Sequence, residues 1–389
     1  MKNLFSKRTN WNLEANPITK ALQKRRDSQL PILDLTESNP THCGFDYPTQ
    51  ELAQVLTQPQ SFQYHPNPKG LLEARRAIAK YYQDQGHSIN PEQIFLTSST
   101  SEAYSFLFRL LVNPQENILI PRPGYPLFDF LSDLADVELK TYSLFYEKNW
   151  QIDFESLKNN VNPDTKALLV VHPNNPTGSY IKKNEFFELI QLAHHEEIAL
   201  VSDEVFFDYA VESNEKHTRL AGISEVLSFT LNGLSKMVGL PQMKLGWMVV
   251  NGPQKLLTQA LDRLEVITDT YLSVNTPIQQ ALPWIIENCK TIQNPIKMRV
   301  LNNLKWLKEK IIPFPACEVL KVEGGWYALL KIPKTRSDEE WVLTFLEKEG
   351  VFVHPGHFYQ FEKEGYLVIS LIVPPETFQE GVRRILSYF

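Results

Sequence analysis

Short apolar runs alternate with amphipathic helical patterns between about residue 71 and residue 284. The runs are nearly continuous in apolar residues, which indicates strands buried on both faces of a sheet. They are QIFLTS, NILIPRP, ALLVVHP, IALVSDEV, LSFTLNG and GWMVV. Between them, apolar residues recur at helical spacing in LLEARRAIAKYY, SEAYSFLFRLL and KNEFFELIQLAHHEE. This alternation predicts an α/β domain whose mostly parallel sheet has helices on both faces.

The pattern changes after Pro277. A long helical stretch leads into the segments EGGWYALLKIP, SDEEWVLTFLEKEG, VFVHPG, YLVISLI and FQEGVRRILSYF. Strand-like and helix-like segments in this order predict a smaller α+β lobe. The chain of 389 residues is long enough for two lobes that each have a core.

Composition and charge argue against nucleic acid and membranes as partners of this protein. The chain is 43% apolar and 22% charged, which is ordinary for a globular protein. A net charge of −6 gives no general attraction to nucleic acid or anionic membranes, and the basic run at residues 24–26 is typical of a solvated helix face. The start, MKNLFSKRTNWNLE, lacks the apolar core of a signal peptide, and no apolar stretch reaches transmembrane length. We therefore expect a cytoplasmic protein without nucleic-acid or membrane partners.

Three cysteines, Cys43, Cys289 and Cys317, are widely spaced. This spacing fits neither a disulfide framework nor a set of metal ligands. We expect reduced, buried thiols and no metal site.

Three motifs in the middle of the chain carry chemistry: HPNNPTG at residues 172–178, SDEV at 202–205 and LSKMVGLPQMKLGW at 234–247. They offer an amide at Asn175, a carboxylate at Asp203 and an amine at Lys236. A carboxylate that closes a buried strand needs a partner. Together these groups suit pyridoxal 5'-phosphate (PLP), because the amide can reach its ring hydroxyl, the acid its ring nitrogen, and the lysine can form a Schiff base. Taken singly, each has a plainer interpretation as a turn, a cap or a surface lysine.

In this order and spacing, the motifs resemble those of the fold-type I PLP-dependent aminotransferases of class I/II, the aspartate/tyrosine transaminase-like class. The resemblance covers nearly the whole chain, and its specific motifs lie between Tyr64 and Trp247. It implies a large PLP-binding domain with a seven-stranded-type sheet and a smaller α+β domain. It also implies that an N-terminal segment packs with the small domain, so we expect boundaries at residues 1–45, 46–285 and 286–389.

The resemblance assigns roles to the residues that contact the cofactor ring. Lys236 is the Schiff-base lysine and carries protons between substrate and cofactor. Asp203 keeps the ring nitrogen protonated, and Asn175 donates to the ring oxygen at the edge of the substrate pocket. Tyr125, in PRPGYP, is expected to stack on the ring, with a plain core tyrosine as the alternative.

Further residues are expected at the cofactor phosphate. Ser99, Thr100 and Ser101 open a helix, and a helix N-terminus suits phosphate, although a plain N-cap is the alternative. Lys244 stands in place of the arginine that is usual in the family. Tyr64 resembles the tyrosine that reaches the phosphate of the neighbouring subunit, which predicts a homodimer with shared active sites.

The chain departs from the family pattern at several positions. Phe206 stands where a tyrosine usually donates to the ring oxygen, and Tyr209 is not an assured replacement. Gly233 stands where a phosphate-binding serine is usual, which leaves Ser235 as a candidate donor. Val368 occupies the position of the arginine that clamps the substrate carboxylate. Either the carboxylate is held otherwise or the substrate lacks one there.

Other polar side chains are weaker candidates for the substrate pocket. Asn39, in ESNPT, is expected to border it, and His354 and His357 flank a Pro-Gly turn. Asp269 is a further candidate, in a pocket of the partner subunit.

These observations favour a PLP-dependent aminotransferase that moves an amino group between an amino acid and a 2-oxo acid. A PLP-dependent lyase or decarboxylase of the same fold is one alternative, because fold does not settle reaction. A PLP-binding protein with little catalysis is another. The sequence names neither the amino donor nor the keto acceptor.

Overall fold

The computed structural model describes residues 4–212, 217–272 and 274–389. The first three residues of the expected N-terminal segment lie outside these ranges. The strands within them are β1 (Leu33–Asp34), β2 (Ile94–Thr97), β3 (Asn117–Arg122), β4 (Glu138–Glu147), β5 (Asn149–Ile152), β6 (Thr165–Val171), β7 (Ala199–Asp203), β8 (Ser228–Gly233), β9 (Gly246–Asn251), β10 (Glu318–Val319), β11 (Tyr327–Lys331), β12 (Val351–Phe352), β13 (His354–Pro355) and β14 (Tyr366–Ser370).

Helices connect most of these strands. They are α1 (Pro17–Asp27), α2 (Thr49–Leu56), α3 (Leu72–Gln83), α4 (Thr100–Leu111), α5 (Phe128–Ala135), α6 (Phe154–Asn160), α7 (Lys183–His195), α8 (Leu234–Met237), α9 (Gln254–Tyr271), α10 (Thr276–Glu287), α11 (Cys289–Lys310), α12 (Asp338–Thr344) and α13 (Pro375–Leu386). A π-helical turn, Phe345–Glu349, continues α12. No helix in the described ranges is both long and apolar enough to cross a membrane.

Several helices begin at side chains that satisfy free backbone amides. Asn16 caps α1 and Asn275 caps α10, each followed within two residues by a proline. Ser337 caps α12 and forms a capping box with Glu340. Such residues fix the start of a helix because they accept hydrogen bonds that no helical carbonyl can accept.

The large sheet has the strand order β2-β9-β8-β7-β6-β3-β4-β5. Its strands run parallel except β9, which is antiparallel to both neighbours, and β5, which is antiparallel to β4. Apolar side chains fill a core on each face, one containing Phe106 and Ile118 and the other Leu168 and Leu189. The predicted α/β fold with helices on both faces is confirmed. The expected seven-stranded sheet is corrected to eight strands, because the hairpin formed by β4 and β5 adds one at the edge.

The C-terminal part of the chain forms a second, smaller sheet. Its antiparallel strand order is β10-β11-β14-β13, and α11 and α13 pack together beside it. The predicted smaller α+β lobe is therefore confirmed. All three cysteines are buried and unpaired, as predicted.

The N-terminal segment lies against the smaller sheet. Strand β1 pairs in parallel with β12, and α1 contacts α12. The amide of Ser370 donates to the carbonyl of Leu35 at 2.8 Å, and the Ser370 hydroxyl donates to the carbonyl of Glu37 at 2.6 Å. These bonds hold residues 35–38 beside the carboxyl end of β14.

Candidate active site

A cavity of about 320 Å³ lies where β6, β7 and β8 end. The carboxyl ends of neighbouring parallel strands meet at one edge of a sheet, and ligands of open α/β sheets bind in the crevice there. The predicted site residues that line this cavity are Ser99, Thr100, Ser101, Tyr125, Asn175, Asp203, Lys236 and Lys244. The structure thus brings together groups that are up to 145 positions apart in the sequence, from Ser99 to Lys244.

Lys236 lies on the short helix α8, directly after β8. Burial lowers the pKa of its amine below the usual range, while the charges of Asp203 and Glu37 act in the opposite direction. The rings of Trp326 and Phe206 lie 5.3 Å and 5.9 Å from Nζ. Within the part of the chain that the structure describes, no group hydrogen-bonds Nζ. A desolvated amine of this kind is suited to nucleophilic attack on a carbonyl carbon.

Tyr209 holds the backbone of the lysine segment. Its hydroxyl donates to the carbonyl of Lys236 at 2.9 Å and lies 3.2 Å from the carbonyl of Met237. Phe206 lines the cavity itself and packs edge-on against Trp326, with ring centroids 5.3 Å apart. Tyr209 therefore supports the helix that carries Lys236, and its hydroxyl is not directed at a ligand.

Asp203 is the buried carboxylate at the end of β7. Burial raises its pKa, and three groups oppose this rise: Tyr104, the amide of Val205 and the charge of Lys236. The Tyr104 hydroxyl donates to Oδ2 at 2.7 Å, and the Val205 amide donates to Oδ1 at 3.1 Å. These donors favour the ionised form, which a protonated ring nitrogen of a ligand requires as its partner.

A second buried carboxylate, Glu204, faces away from the cavity. Its Oε2 accepts from Arg219 at 2.6 Å, and both side chains are fully buried. Arg219 also donates to the hydroxyl of Tyr81 at 2.7 Å. The two adjacent acids thus have different partners, and only Asp203 is available to a ligand in the cavity.

Asn175 and Tyr125 contribute the polar and aromatic walls of the cavity. The Oδ1 atom of Asn175 is buried without a hydrogen-bond partner among the described residues. An unpaired buried acceptor costs about 1–3 kcal/mol, so a ligand hydroxyl or N–H group that donates to Oδ1 removes an existing cost. Tyr125 lies edge-on to Phe128 at 5.6 Å, and burial raises its pKa to about 12. Its hydroxyl therefore stays protonated at neutral pH.

The N-terminus of α4 forms another wall of the cavity. Ser99 caps the helix, and its side chain accepts from the amide of Glu102 at 3.2 Å. The first turn adds the hydroxyls of Thr100 and Ser101. Free amides and hydroxyl donors at a helix N-terminus suit an anion such as phosphate. Lys244, which is exposed, lines the same cavity.

Gly233 and Gly246 face each other on β8 and β9 next to this helix end. A Cβ atom at Gly233 would lie 2.9 Å from the Cα atom of Gly246. A Cβ at Gly246 would lie 3.1 Å from the backbone carbon of Ser99. A side chain at position 233, such as the serine that is usual in the family, would therefore require the backbone of β9 to shift, and Ser235 is the hydroxyl that lines the cavity instead.

Tyr64 and Asn39 do not line the cavity. Tyr64 is 71% exposed and borders a separate, smaller hollow with Gln279. The Oδ1 atom of Asn39 accepts from the amide and the hydroxyl of Thr41, and so caps a short turn. The neighbouring Ser38 lines the cavity instead, so the geometry favours Ser38 as the residue of this segment that faces a substrate.

Three other weak candidates also lie outside the cavity lining. Asp269 and His357 are exposed. The Nδ1 atom of His354 lies 3.2 Å from the hydroxyl of Tyr359, and burial lowers the pKa of His354 to about 4. At neutral pH this imidazole is uncharged.

Val368 is buried within an apolar cluster of the smaller sheet. It packs with Trp150, Leu329 and Tyr359. No arginine lines the cavity within the described ranges, and Lys236 and Lys244 are its two basic residues there. On the wall formed by the N-terminal segment and β11, the side-chain donors are the hydroxyls of Ser38 and Tyr327.

Three residues at or beside the cavity were not identified by the sequence analysis: Ser38 and Tyr327, which line it, and Tyr104, which binds Asp203. Tyr104 shares the sheet-facing side of α4 with Ala103 and Leu107, and a tyrosine on a buried face needs a partner for its hydroxyl. That signal predicts a buried hydrogen bond without naming the acceptor. No comparable signal marks Tyr327.

The residues of the cavity fit PLP by their chemistry. The amide of Asn175, the buried carboxylate of Asp203 and the desolvated amine of Lys236 match the ring hydroxyl, ring nitrogen and aldehyde of the cofactor. The N-terminus of α4 offers donors for its phosphate. None of these protein groups has the same charge as the cofactor atom it would face.

Comparison with known proteins identifies the family. The sequence model of the family "Aminotransferase class I and II" matches residues 31–385. The glutamate-pyruvate aminotransferase AlaA of Haemophilus influenzae is 27% identical over 380 residues, covering 96% of this chain and 94% of AlaA. The fold matches that of an Escherichia coli aminotransferase with a TM-score of 0.89 and 25% identity, over 99% of this chain and 97% of that one. It also matches the alanine aminotransferase of Pyrococcus furiosus, with a TM-score of 0.90 and 23% identity over 99% of each chain. This chain therefore belongs to the aminotransferase class I and II family.

Proposed function

We propose that the protein binds PLP through Lys236 and uses it to move an amino group between an amino acid and a 2-oxo acid. The observation that carries the proposal is the desolvated amine of Lys236 in one cavity with Asp203, Asn175 and the N-terminus of α4. Family membership supports the reaction class. When bound, PLP supplies an electrophilic aldehyde and a ring that accepts electrons from the substrate.

Each residue contributes a separate physical effect. Asp203 holds the proton on the ring nitrogen, and Asn175 binds the ring oxygen. Tyr125 packs on the ring. Lys236 would hold PLP through its amine, and the same Nζ would be the group that moves protons at the substrate Cα.

The phosphate is the anchor of the cofactor in this proposal. Ser99, Thr100, Ser101 and Ser235 donate through hydroxyls, and Lys244 adds a positive charge. A lysine neutralises phosphate without the bidentate geometry of an arginine. The phosphate is therefore held mainly by the helix end and its hydroxyls.

The size of the cavity favours a small substrate. Its volume of about 320 Å³ is at the lower end of ordinary ligand pockets and must hold cofactor and substrate together. AlaA of Haemophilus influenzae is named for glutamate and pyruvate. We infer that alanine and glutamate are the first donors to test, with Ser38 and Tyr327 as donors to the substrate carboxylate.

The decisive experiment is a single turnover of the PLP-loaded protein with one amino acid and no acceptor. We expect about one equivalent of 2-oxo acid per chain, with the amino group retained on the cofactor, and reversal on addition of pyruvate. The variant K236A should release no 2-oxo acid, and K255A, changed at an exposed lysine of α9, should behave as the wild type.

Three outcomes would overturn the proposal. Release of ammonia together with a 2-oxo acid would indicate a lyase, and release of carbon dioxide would indicate a decarboxylase. Cofactor binding without any conversion, across a panel of amino acids and amines, would indicate a protein with little catalysis.

A further inference from the structure

Tyr104 lies outside the cavity lining and hydrogen-bonds the carboxylate of Asp203, which lines the cavity. It lies one helical turn after Thr100 on α4, and its side chain is 1% exposed. Its hydroxyl donates to Oδ2 of Asp203 at 2.7 Å, across 99 positions of sequence. Oδ1 of the same carboxylate accepts from the amide of Val205. Each oxygen of Asp203 thus has one protein donor, and the remaining lone pairs are available to the cavity.

The direction of this hydrogen bond is fixed by electrostatics. Burial and the neighbouring charge of Asp203 raise the pKa of Tyr104 well above its usual range. The phenol therefore keeps its proton and acts only as a donor toward Asp203. Donation to a carboxylate favours the ionised carboxylate, which opposes the effect of burial.

The ring of Tyr104 is held in one orientation by its neighbours. It lies edge-on to Phe128, with centroids 5.3 Å apart and planes at 87°, and it contacts Phe108 at 6.2 Å. Phe128 in turn meets Tyr125 edge-on at 5.6 Å. Because the ring is packed on these sides, its hydroxyl has little freedom to leave Asp203.

Helix α4 joins two ends of the cavity. Its first turn carries Thr100 and Ser101, and its second turn carries Tyr104. A helix of 12 residues is a rigid element, with a rise of about 1.5 Å per residue. Helix α4 therefore fixes the distance between its first turn, which is expected to bind the phosphate, and Tyr104, which binds Asp203.

We propose that Tyr104 is a positioning residue that orients the carboxylate of Asp203 and keeps it ionised for the ring nitrogen of the cofactor. The inference rests on the proposed binding of PLP. In this arrangement α4 aligns the cofactor at both ends, through its N-terminus at the phosphate and through Tyr104 and Asp203 at the ring nitrogen.

The test is the affinity of cofactor-free protein for PLP as a function of pH, measured by equilibrium dialysis for wild type and Y104F. Phenylalanine keeps the ring contacts and removes the donor. We expect about tenfold weaker binding near pH 7, because a hydrogen bond to a charged group is lost. With one donor fewer, the pKa of Asp203 rises, so the loss of affinity on acidification should begin at a higher pH than in the wild type.

Y142F is the matched control. Tyr142 is equally buried on β4, but its hydroxyl donates to the carbonyl of Leu169 at 3.0 Å, outside the cavity lining. We expect Y142F to lose stability like Y104F while its pH profile of PLP binding stays at the wild-type position. The same shift in Y142F would overturn the inference, since any buried hydroxyl would then produce it.

A second variant keeps the inference testable if Y104F folds poorly. Replacing Tyr104 with 3-fluorotyrosine retains the hydroxyl and makes it a stronger donor. We expect the acidic limb of the binding profile to move to lower pH, opposite to Y104F. An unchanged profile in the variant that folds, with PLP bound normally by the wild type, would overturn the inference. Failure of the wild type itself to bind PLP would instead overturn the proposed function.

Discussion

The amine of Lys236 occupies a buried position that disfavours its charged form. The folded protein therefore holds fewer protons on this group than the unfolded chain does, between its lowered pKa and the ordinary value of about 10.4. By linkage, this residue costs the cofactor-free protein stability at neutral pH, and the cost diminishes as the pH rises through that window. Such a cost is typical of residues kept for function.

We predict that cofactor-free K236M is more stable than the cofactor-free wild type by about 0.5–2 kcal/mol at pH 7. The difference should shrink as the pH approaches 10, where the unfolded lysine also loses its proton. Urea unfolding at pH 6, 8 and 10 measures it, with the exposed-site variant K255M as a control that shows no such trend. A difference that stays the same at every pH would contradict the assignment of a desolvated amine.

Some contacts of the site residues were predictable from the sequence and others were not. Lys236, Asp203 and Asn175 follow the ends of β8, β7 and β6, and parallel strands bring such positions to one edge of a sheet. Their convergence was therefore predictable from order alone. The partner of Asp203 was not, because Tyr104 lies on another element and nothing local to either residue specifies the pair.

At the scale of single elements, strands buried on both faces were predictable because they are continuous in apolar residues. The hairpin of β4 and β5 was not. Strand β4, ELKTYSLFYE, is mostly half-buried or exposed, and Tyr142 is its one fully buried residue. Strand β4 lies next to the edge strand β5 and has a weak apolar pattern, so its pairing with β3 is not specified by its local sequence.

Ser99 is expected both to cap helix α4 and to bind the cofactor phosphate, and one variant can separate these two roles. S99A should lower the free energy of unfolding by about 1 kcal/mol, since Ser99 is the N-cap. It should also weaken PLP binding, because the same residue lines the cavity. Thermal unfolding and PLP titration measure the two effects on one sample.

The control for this experiment is S337A. Ser337 caps α12 in the smaller lobe, outside the cavity lining. We expect a similar loss of stability and no change in PLP affinity. Equal affinity in S99A and S337A would contradict a contribution of the Ser99 hydroxyl to phosphate binding.

At the scale of the whole molecule, the N-terminal segment connects the two lobes. Strand β1 pairs with β12, while Ser38 lines the cavity between the ends of the large-sheet strands and β11. These contacts support the expected packing of this segment with the small domain. The boundaries at residues 45 and 285 stay predictions.

The proposed homodimer makes a prediction about Tyr64. The 71% exposure of this side chain leaves it free to reach a partner subunit. If Tyr64 completes the partner's site, a mixed dimer of Y64A and K236A chains contains one complete site of two. We expect such a dimer, purified through two different tags, to recover about half of the wild-type activity per dimer.

Two comparisons decide the outcome of this mixing experiment. The Y64A parent should have clearly reduced activity, and a mixed dimer of K236A with K236M should stay inactive. No recovery in the Y64A and K236A mixture, or a monomeric wild type, would contradict a site shared between subunits.

The central claim is that Lys236 is the residue that binds PLP. Its most direct test is reduction of the PLP-loaded protein with borohydride, followed by mass spectrometry of the peptides. We expect about one cofactor per chain, attached to the peptide that contains Lys236, with Lys244 unmodified although it lines the same cavity. Attachment to Lys244 or another lysine, or no attached cofactor at all, would contradict this claim.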